Sequence, residues 1–452
     1  MVSKLVAPVV VVGICAGIFV ATACGSSNTS SFDEPDATAP SDDDATPSSS
    51  GFLGKPDGPP QPACQGLECK IVDCGSGPKT TIRGTVFAPN KLDPLYNVIL
   101  YVPNGDLQPF PSGVTCDKCG AITSGSPIVT ALSGSDGKFT LDNVPAGDNI
   151  PIVMQVGRWR RKVVIPHVTQ CADNPLDAEQ TRLPRNKTEG DIPLIALATS
   201  PYDPEECILR KIGIDDAEFT VPTDTGRVHI YQGAGATLAG ATPPSSSTLW
   251  ATLANLTRYD LAMFPCQTTG YPDATGHANI QKYADTGGRV FVTDLHEDVI
   301  ESAPAPWPAT ATWGASGSFT NPALIDTTFP KGQALADWLQ ANGDTTTKGQ
   351  ITLQATYHRF GAAVAPSQRW LYSSTDTQTY SFNTPVAAAP ADQCGRVVYS
   401  SFHIANDSGN SFPGECTAAK LTPQEKVLEF LLFDLAACIQ KDDAPPVAPP
   451  VK

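Results

Sequence analysis

Positive charge is what this 452-residue chain has least of, since 30 Lys and Arg stand against 46 Asp and Glu and leave a net charge of −16. A phosphate backbone requires a basic surface, so nucleic acid is excluded as a partner. Large apolar residues are nearly missing from residues 25–63, "GSSNTSSFDEPDATAPSDDDATPSSSGFLGKPDGPPQPA". Such a segment cannot bury enough surface to offset its chain entropy, which predicts a flexible acidic stalk over residues 24–78. A second ligand pair is also missing from the C-x-x-C at Cys116 and Cys119, which lies in a stretch rich in Gly, Ser and Pro. A zinc half-site or redox pair is thereby left unsupported, and a structural disulfide role is the expectation.

The N-terminus "MVSKLVAPVVVVGICAGIFVATAC" carries one charge at Lys4, then an apolar run, then small residues before Cys24. That order predicts an export signal over residues 1–23. An uncleaved anchor is the competing reading, weakened by Pro8 inside the run and the polar stretch after Cys24. The tripeptide before Cys24 resembles the lipobox of bacterial lipoproteins, with Ala21 where leucine is commonest. The resemblance implies that Cys24 is acylated and that the chain is exported and lipid-anchored to the cell envelope, at the outer membrane or cell surface. Its expected partners are therefore the membrane, through that anchor, and an envelope polysaccharide or protein.

Export makes disulfides the default for a chain with 13 cysteines. Setting aside Cys15 in the signal and Cys24 at the lipid leaves Cys64, Cys69, Cys74, Cys116, Cys119, Cys171, Cys207, Cys266, Cys394, Cys416 and Cys438. The number is odd, so at least one thiol lacks an internal partner.

The length suggests two folded parts with tails. From residue 79 short alternating segments are divided by turn residues, as in "TTIRGTVFAPN", "YNVILYVPN", "GKFTLDNVPAG" and "PIVMQVGRWRRKVVI". This predicts an antiparallel β-sandwich over residues 79–198. Asp136 and Gly137 fit a tight turn, Phe139 and Leu141 fit inward positions, and Pro145 with Gly147 fit the next turn. The segment resembles the carboxypeptidase regulatory-like domain, a transthyretin-like sandwich, and is similar to the starch-binding-like superfamily. The resemblance implies a spacer or adhesive module. Within it Arg158, Trp159, Arg160 and Arg161 are candidate ligand-binding residues, with Trp159 stacking on a sugar. The alternative has Trp159 packed inward and the charges solvated on the other strand face.

Beyond a linker assigned to residues 199–225, strands alternate with helices through residues 226–440, ahead of a Pro-rich tail at 441–452. "GRVHIYQG", "LAMFPC" and "RVFVTDL" read as strands, and "SSSTLWATLANLTRYD", "GHANIQKYADTGG", "FPKGQALADWLQANG" and "TPQEKVLEFLLFDLAACI" as helices. In the last, Thr422 is placed as cap, Pro423 at the first helical position and Glu425 as the capping-box partner. The expectation is a doubly wound, flavodoxin-like α/β domain.

"RYDLAMFPC", "IQKYADTGGRVFVTD" and "CGRVVYSSFH" resemble the class I glutamine amidotransferase-like superfamily. That implies ligands at the C-terminal strand ends, and a candidate cluster of Cys266, Asp294, His296, Glu297 and His403. The nucleophile position holds Asp294 or Leu295 with no glycine following, and the acidic residue beyond the family's histidine is replaced by Ile404, Ala405 and Asn406. Glutaminase chemistry is therefore not expected. Cys266 paired with His403 is one surviving route to hydrolysis. A metal on Asp294, His296 and His403, with Glu297 as base, is another. No cofactor is expected. The sequence reading is a non-catalytic binding or adhesion lipoprotein, with carbohydrate as candidate ligand and an envelope glycan or amide hydrolase as its alternative.

Overall fold

Alternation of apolar and polar residues produces the first sheets. In the computed structural model, which describes residues 64–451 other than 315–319, 355–359, 374–375, 405–406, 408–410 and 418–419, "KFTLD" buries Phe139 and Leu141 and exposes its other three residues. Strands β1 (Thr81–Thr85), β4 (Lys138–Asp142) and β7 (Asp173–Pro175) form one sheet in the order β4-β1-β7. A second holds β2 (Ile99–Pro103), β3 (Pro127–Leu132), β5 (Gly147–Val156) and β6 (Trp159–Val168) in the order β3-β2-β5-β6. The four-stranded sheet is antiparallel throughout, whereas β1 and β7 run parallel. The turn expected at Asp136 and Gly137 is present, and Gly137 has φ +71 with Val86 O 2.9 Å from where a Cβ would stand, so both backbone and space require glycine. The short helix α1 (Ala178–Thr181) follows, capped by Asp177.

The larger sheet has ten strands. Its parallel part comprises β8 (Ile195–Ala198), β9 (Phe219–Thr220), β10 (Val228–Tyr231), β12 (Leu261–Phe264), β13 (Arg289–Thr293) and β20 (Gly395–Ser400), ordered β20-β13-β12-β8-β10-β9. Strands β15 (Ala323–Ile325), β16 (Gln350–Ile351), β18 (Gln368–Ser373) and β19 (Asp376–Thr384) extend it antiparallel beyond β20. Two-stranded pairs are made by β11 (Thr237–Leu238) with β21 (Ser411–Phe412) and by β14 (Ala311–Trp313) with β17 (Phe360–Ala363). The remaining helices are α2 (Glu205–Lys211), α3 (Ser247–Trp250), α4 (Leu253–Leu256), α5 (Ala274–Asp285), α6 (Asp298–Glu301), α7 (Pro330–Ala341) and α8 (Pro423–Ala436). The chain is thus β-rich with eight helices among the described residues. None of these helices is long and apolar enough to cross a membrane. The export signal, Cys24 and the stalk up to residue 63 lie outside the described residues.

The caps explain where helices start. Thr422 and Glu425 form the expected reciprocal capping box, with Pro423 in the first turn of α8. The run at 247–256, expected as one helix, is instead α3 and α4. Thr252 adopts an extended conformation between them, and its hydroxyl accepts the Asn255 N–H as a new cap.

The boundary between the two expected parts also differs. Ile195–Ala198, assigned to the sandwich, is the strand inserted between β12 and β10, and the supposed linker supplies α2 and β9. A quartet buried on both faces has no alternation to reveal its sheet. Two independent cores give way to one continuous apolar cluster from Ile82 and Leu100 to Trp338 and Leu431. A second cluster covers the other face of the large sheet, around Trp250, Tyr283 and Tyr399. Residues 63–452 accordingly form one compact unit. At the seam Trp159 meets Phe433 of α8 at 5.7 Å, Tyr96 stacks on Phe430 at 5.8 Å, and Trp338 Nε1 donates to Pro94 O at 2.5 Å.

Among the described residues five disulfides are present: Cys64–Cys69, Cys74–Cys171, Cys116–Cys394, Cys119–Cys438 and Cys207–Cys416. Cys116 and Cys119 do bond structurally, but to two distant cysteines rather than to each other. Both stitch the loop ahead of β3 to the ends of the large sheet and α8. Among the described residues Cys266 is the cysteine left over, buried and free.

Candidate functional site

Three of the five strand-end candidates converge. Cys266 lies two residues past β12, Asp294 directly follows β13, and His403 lies three residues past β20, so neighbouring parallel strands deliver them to one edge. The Cys266 thiol, an Asp294 carboxylate oxygen and a His403 ring nitrogen all lie within 4.8 Å of one another. Asp294 Oδ2 is 2.8 Å from His403 Nδ1. The absence of a following glycine predicts no sharp turn after β13, yet the turn forms. Asp294 itself takes φ +44, a left-handed conformation that Asp tolerates better than most residues.

Burial sets the electrostatics. The Cys266 thiol is pushed well up by burial and then by the Asp294 carboxylate, so it stays protonated in the neutral range. For His403, burial disfavours the imidazolium, but Asp294 and Asp203 outweigh it and raise the ring above its ordinary value. Burial likewise lifts Asp203 to about 6 despite the opposing influence of His403.

Asp203 is the residue sequence reasoning missed. It accepts the Ile404 N–H at 2.9 Å and a hydrogen bond from the Thr293 hydroxyl, whose oxygen accepts the Cys266 N–H at 2.9 Å. One carboxylate therefore ties down the backbone beside all three converging residues. The signal lay in "IALATSPYDPEEC", where an apolar quartet precedes three acidic residues.

His296 and Glu297 occupy different surroundings from those proposed. His296 is fully buried, donates from Nδ1 to Pro265 O at 3.0 Å, and packs its ring 5.7 Å from both Phe264 and Tyr271. Burial lowers it to about 4, so the ring is neutral, and its packing among aromatic rings places it outside the group that Cys266, Asp294 and His403 form. Glu297 is buried in the 3-10 turn after Asp294, outside the converging group.

Arg158, Trp159 and Arg160 of the basic cluster are likewise buried, and Arg161 is half-buried. Trp159 is 1% exposed against α8 and cannot stack on a sugar. Arg158 donates to Asp117 at 3.0 Å, Asp260 at 2.6 Å and the carbonyls of Pro111 and Gly113. Arg160 pairs with Asp191 at 2.8 Å and lies over the Phe110 ring at 4.1 Å, while Arg161 donates to the carbonyls of Glu179 and Arg182. The segment is a fastening between the small sheets and the large one.

A cleft of about 640 Å3 opens beside this fastening, at the N-terminal ends of β8, β10 and β12. Pro109, Phe110 and Pro111 line one side. Arg158, Lys187, Arg227 and Arg258 bring four cations to it, against Asp191 and Asp260. Arg160 engages Asp191 and Arg158 engages Asp260, which Arg227 also approaches at 4.0 Å while donating from Nε to Ile192 O at 2.7 Å. Lys187 and Arg258 bond to neutral oxygens of Thr225 and Pro222.

No family model matches the chain, and no curated protein matches it. Among solved structures it is similar to a cytoplasmic protein from Salmonella typhimurium at 10% identity, covering 53% of this chain and 98% of that one, with a TM-score of 0.29. A type II cohesin–X-dockerin complex from Acetivibrio cellulolyticus matches at 16% identity over 32% of this chain and 78% of that one, with a TM-score of 0.15. A 9R-lipoxygenase from Cyanothece matches at 13% identity over 24% of this chain and 18% of that one, with a TM-score of 0.14.

Proposed function

We propose that the chain is an exported, lipid-anchored envelope protein whose β-sandwich and flavodoxin-like α/β part act together as one rigid binding module for an acidic carbohydrate. The strand order supports the flavodoxin-like reading, because β8, β10, β12, β13 and β20 numbered along the chain give 2-1-3-4-5. Export is supported by five disulfides, which persist in oxidising compartments.

The observation that carries the binding reading is the excess of cations in the cleft of a strongly acidic protein. Such a cleft focuses field lines and favours an anionic ligand. Its volume is within the range of small-ligand sites, room for an oligosaccharide segment bearing carboxylates. Arg227 and Arg258 line the cleft beside neutral or shared partners and are the groups that would pair with those carboxylates, and the fastened Arg158 holds the wall.

Titration calorimetry with uronic-acid and neutral oligosaccharides tests this. The acidic ligands should bind and weaken about tenfold or more in R227A/R258A, an amount equal to about 1.4 kcal/mol. Equal binding of neutral and acidic sugars, or indifference to those substitutions, would sink the proposal. The hydrolase alternative draws on the convergence of Asp294 and His403, and predicts release of reducing ends or amines that H403A abolishes.

A further inference from the structure

We propose that Cys266, Asp294 and His403 form a binding site for a divalent transition metal, with zinc the best fit to the donor set. Thiolate, carboxylate and imidazole are all zinc ligands, and three protein ligands leave one position for water or substrate. In a tetrahedral shell with bonds of about 2.0 to 2.3 Å, donor atoms stand roughly 3.3 to 3.8 Å apart. The three donors already lie within 4.8 Å of one another, with Asp294 Oδ2 and His403 Nδ1 at 2.8 Å, so a bound ion would need that pair to open by about 0.5 Å and the wider separations to close by about 1 Å or less.

The polar atoms face one another with part of their capacity unused. Asp294 Oδ2 and His403 Nδ1 form an ion pair at 2.8 Å. Asp294 Oδ1 is buried in a side chain 3% exposed and has no hydrogen-bond partner among the described residues. An orphaned buried carboxylate oxygen is costly, and a shared cation would relieve it. Metal binding would release the Cys266 proton to solvent, and the resulting thiolate with the Asp294 carboxylate would balance the charge of a divalent ion.

The supporting geometry is that of a held site. The donors sit at the ends of three adjacent strands, and the φ of +44 at Asp294 is a conformation that persists only where its surroundings enforce it. Asp203 fastens Ile404 beside His403 and Thr293 beside Asp294, and Thr293 in turn fastens Cys266. Such outer groups hold ligands in place. Cys266 is also the cysteine kept out of the disulfides.

The test uses the mature chain, freed of metal with a chelator and titrated with Co2+ and Zn2+. Cobalt should bind one per chain, with the intense visible bands of four-coordinate geometry and a thiolate-to-cobalt charge-transfer band in the near ultraviolet. Zinc should displace it. C266S should remove the charge-transfer band, and D294N or H403Q should weaken affinity at least tenfold. D203N, a positioning change, should weaken it about 10- to 100-fold while the charge-transfer band remains at saturation. If a variant fails to fold, the cobalt spectrum of the unsubstituted chain still decides. Absence of that band at saturating cobalt, or its survival in C266S, would overturn the site and leave a plain Asp–His ion pair beside an inert thiol.

Discussion

The two disulfides from the loop ahead of β3 allow a quantitative prediction. Cys116–Cys394 and Cys119–Cys438 are separated by three residues on one side and 44 on the other, so they form adjacent rungs of one ladder. With either rung closed, the other closes a ring of only about 47 residues, for which chain entropy gives about 4 kcal/mol at 25 °C. With both open, Cys74–Cys171 and Cys207–Cys416 still shorten the path from Cys116 to Cys394, through residues 116 to 74, 171 to 207 and 416 to 394, to about 100 residues. Closing that larger ring contributes about 5 kcal/mol. Replacing either pair by serine should therefore cost about 4 kcal/mol, and replacing both about 9. The double loss approaches the whole stability of an ordinary domain, so that variant should be largely unfolded at room temperature. Guanidinium unfolding without reductant, extrapolated linearly, measures each step. The ring argument fails if one rung alone costs as much as both, or if each costs less than about 1 kcal/mol.

Other expectations are independent of the ladder. Trp159→Ala, which empties a fully buried site against Phe433, should cost about 3 to 5 kcal/mol in the same assay and leave the metal response of the folded fraction unchanged. Asp434→Ala should cost about 3 to 5 kcal/mol, because it leaves Arg396 and Lys331 buried beside it with one partner fewer. Burial and the facing Glu415 hold Glu206 well above the ordinary carboxyl range, while burial raises Glu415 to about 7. The folded state therefore holds more protons than the unfolded one. The pair's contribution to stability is full below about pH 4.5 and lost as pH rises toward 7, a slope that E206Q/E415Q should flatten in melts taken across that interval.

Local rules made much of the architecture legible. Thr422, Pro423 and Glu425 announce α8 because capping chemistry is confined to one turn, and Asp136-Gly137 announces its turn because positive φ selects glycine. The short alternating strands were equally readable. Signals without local context were lost: Ile195–Ala198 joins a sheet whose other strands lie far along the chain, and nothing in four buried residues says which. The same reason hid the disulfide partners, since C-x-x-C spacing speaks only of nearby geometry while the partners lie 278 and 319 residues away. In the strand-end cluster, residues following parallel strands could be placed on one edge, which brought Cys266, Asp294 and His403 together. Spacing along the chain could not show that His296, two residues beyond Asp294, turns into an aromatic pocket.

The two proposed sites occupy opposite ends of the same strands, and that placement has a physical consequence. Asp260 precedes β12 and Cys266 follows it, so six residues at about 3.3 Å each put the cleft wall and the metal donors roughly 20 Å apart. Groups that far apart with no shared partner contribute additively to within about 0.5 kcal/mol. Coupling between the sites would require the strands to shift, but β12 is held by hydrogen bonds between β8 and β13 and by buried clusters on both faces. The disulfide rungs and the Arg158–Asp260 pair clamp the cleft end further. A sheet fixed in this way lets one end hold a ligand without altering the other. If both proposals hold, binding of an acidic ligand at the N-terminal strand edge should leave the affinity for metal at the C-terminal edge unchanged within about twofold, which titration of one in the presence of the other measures.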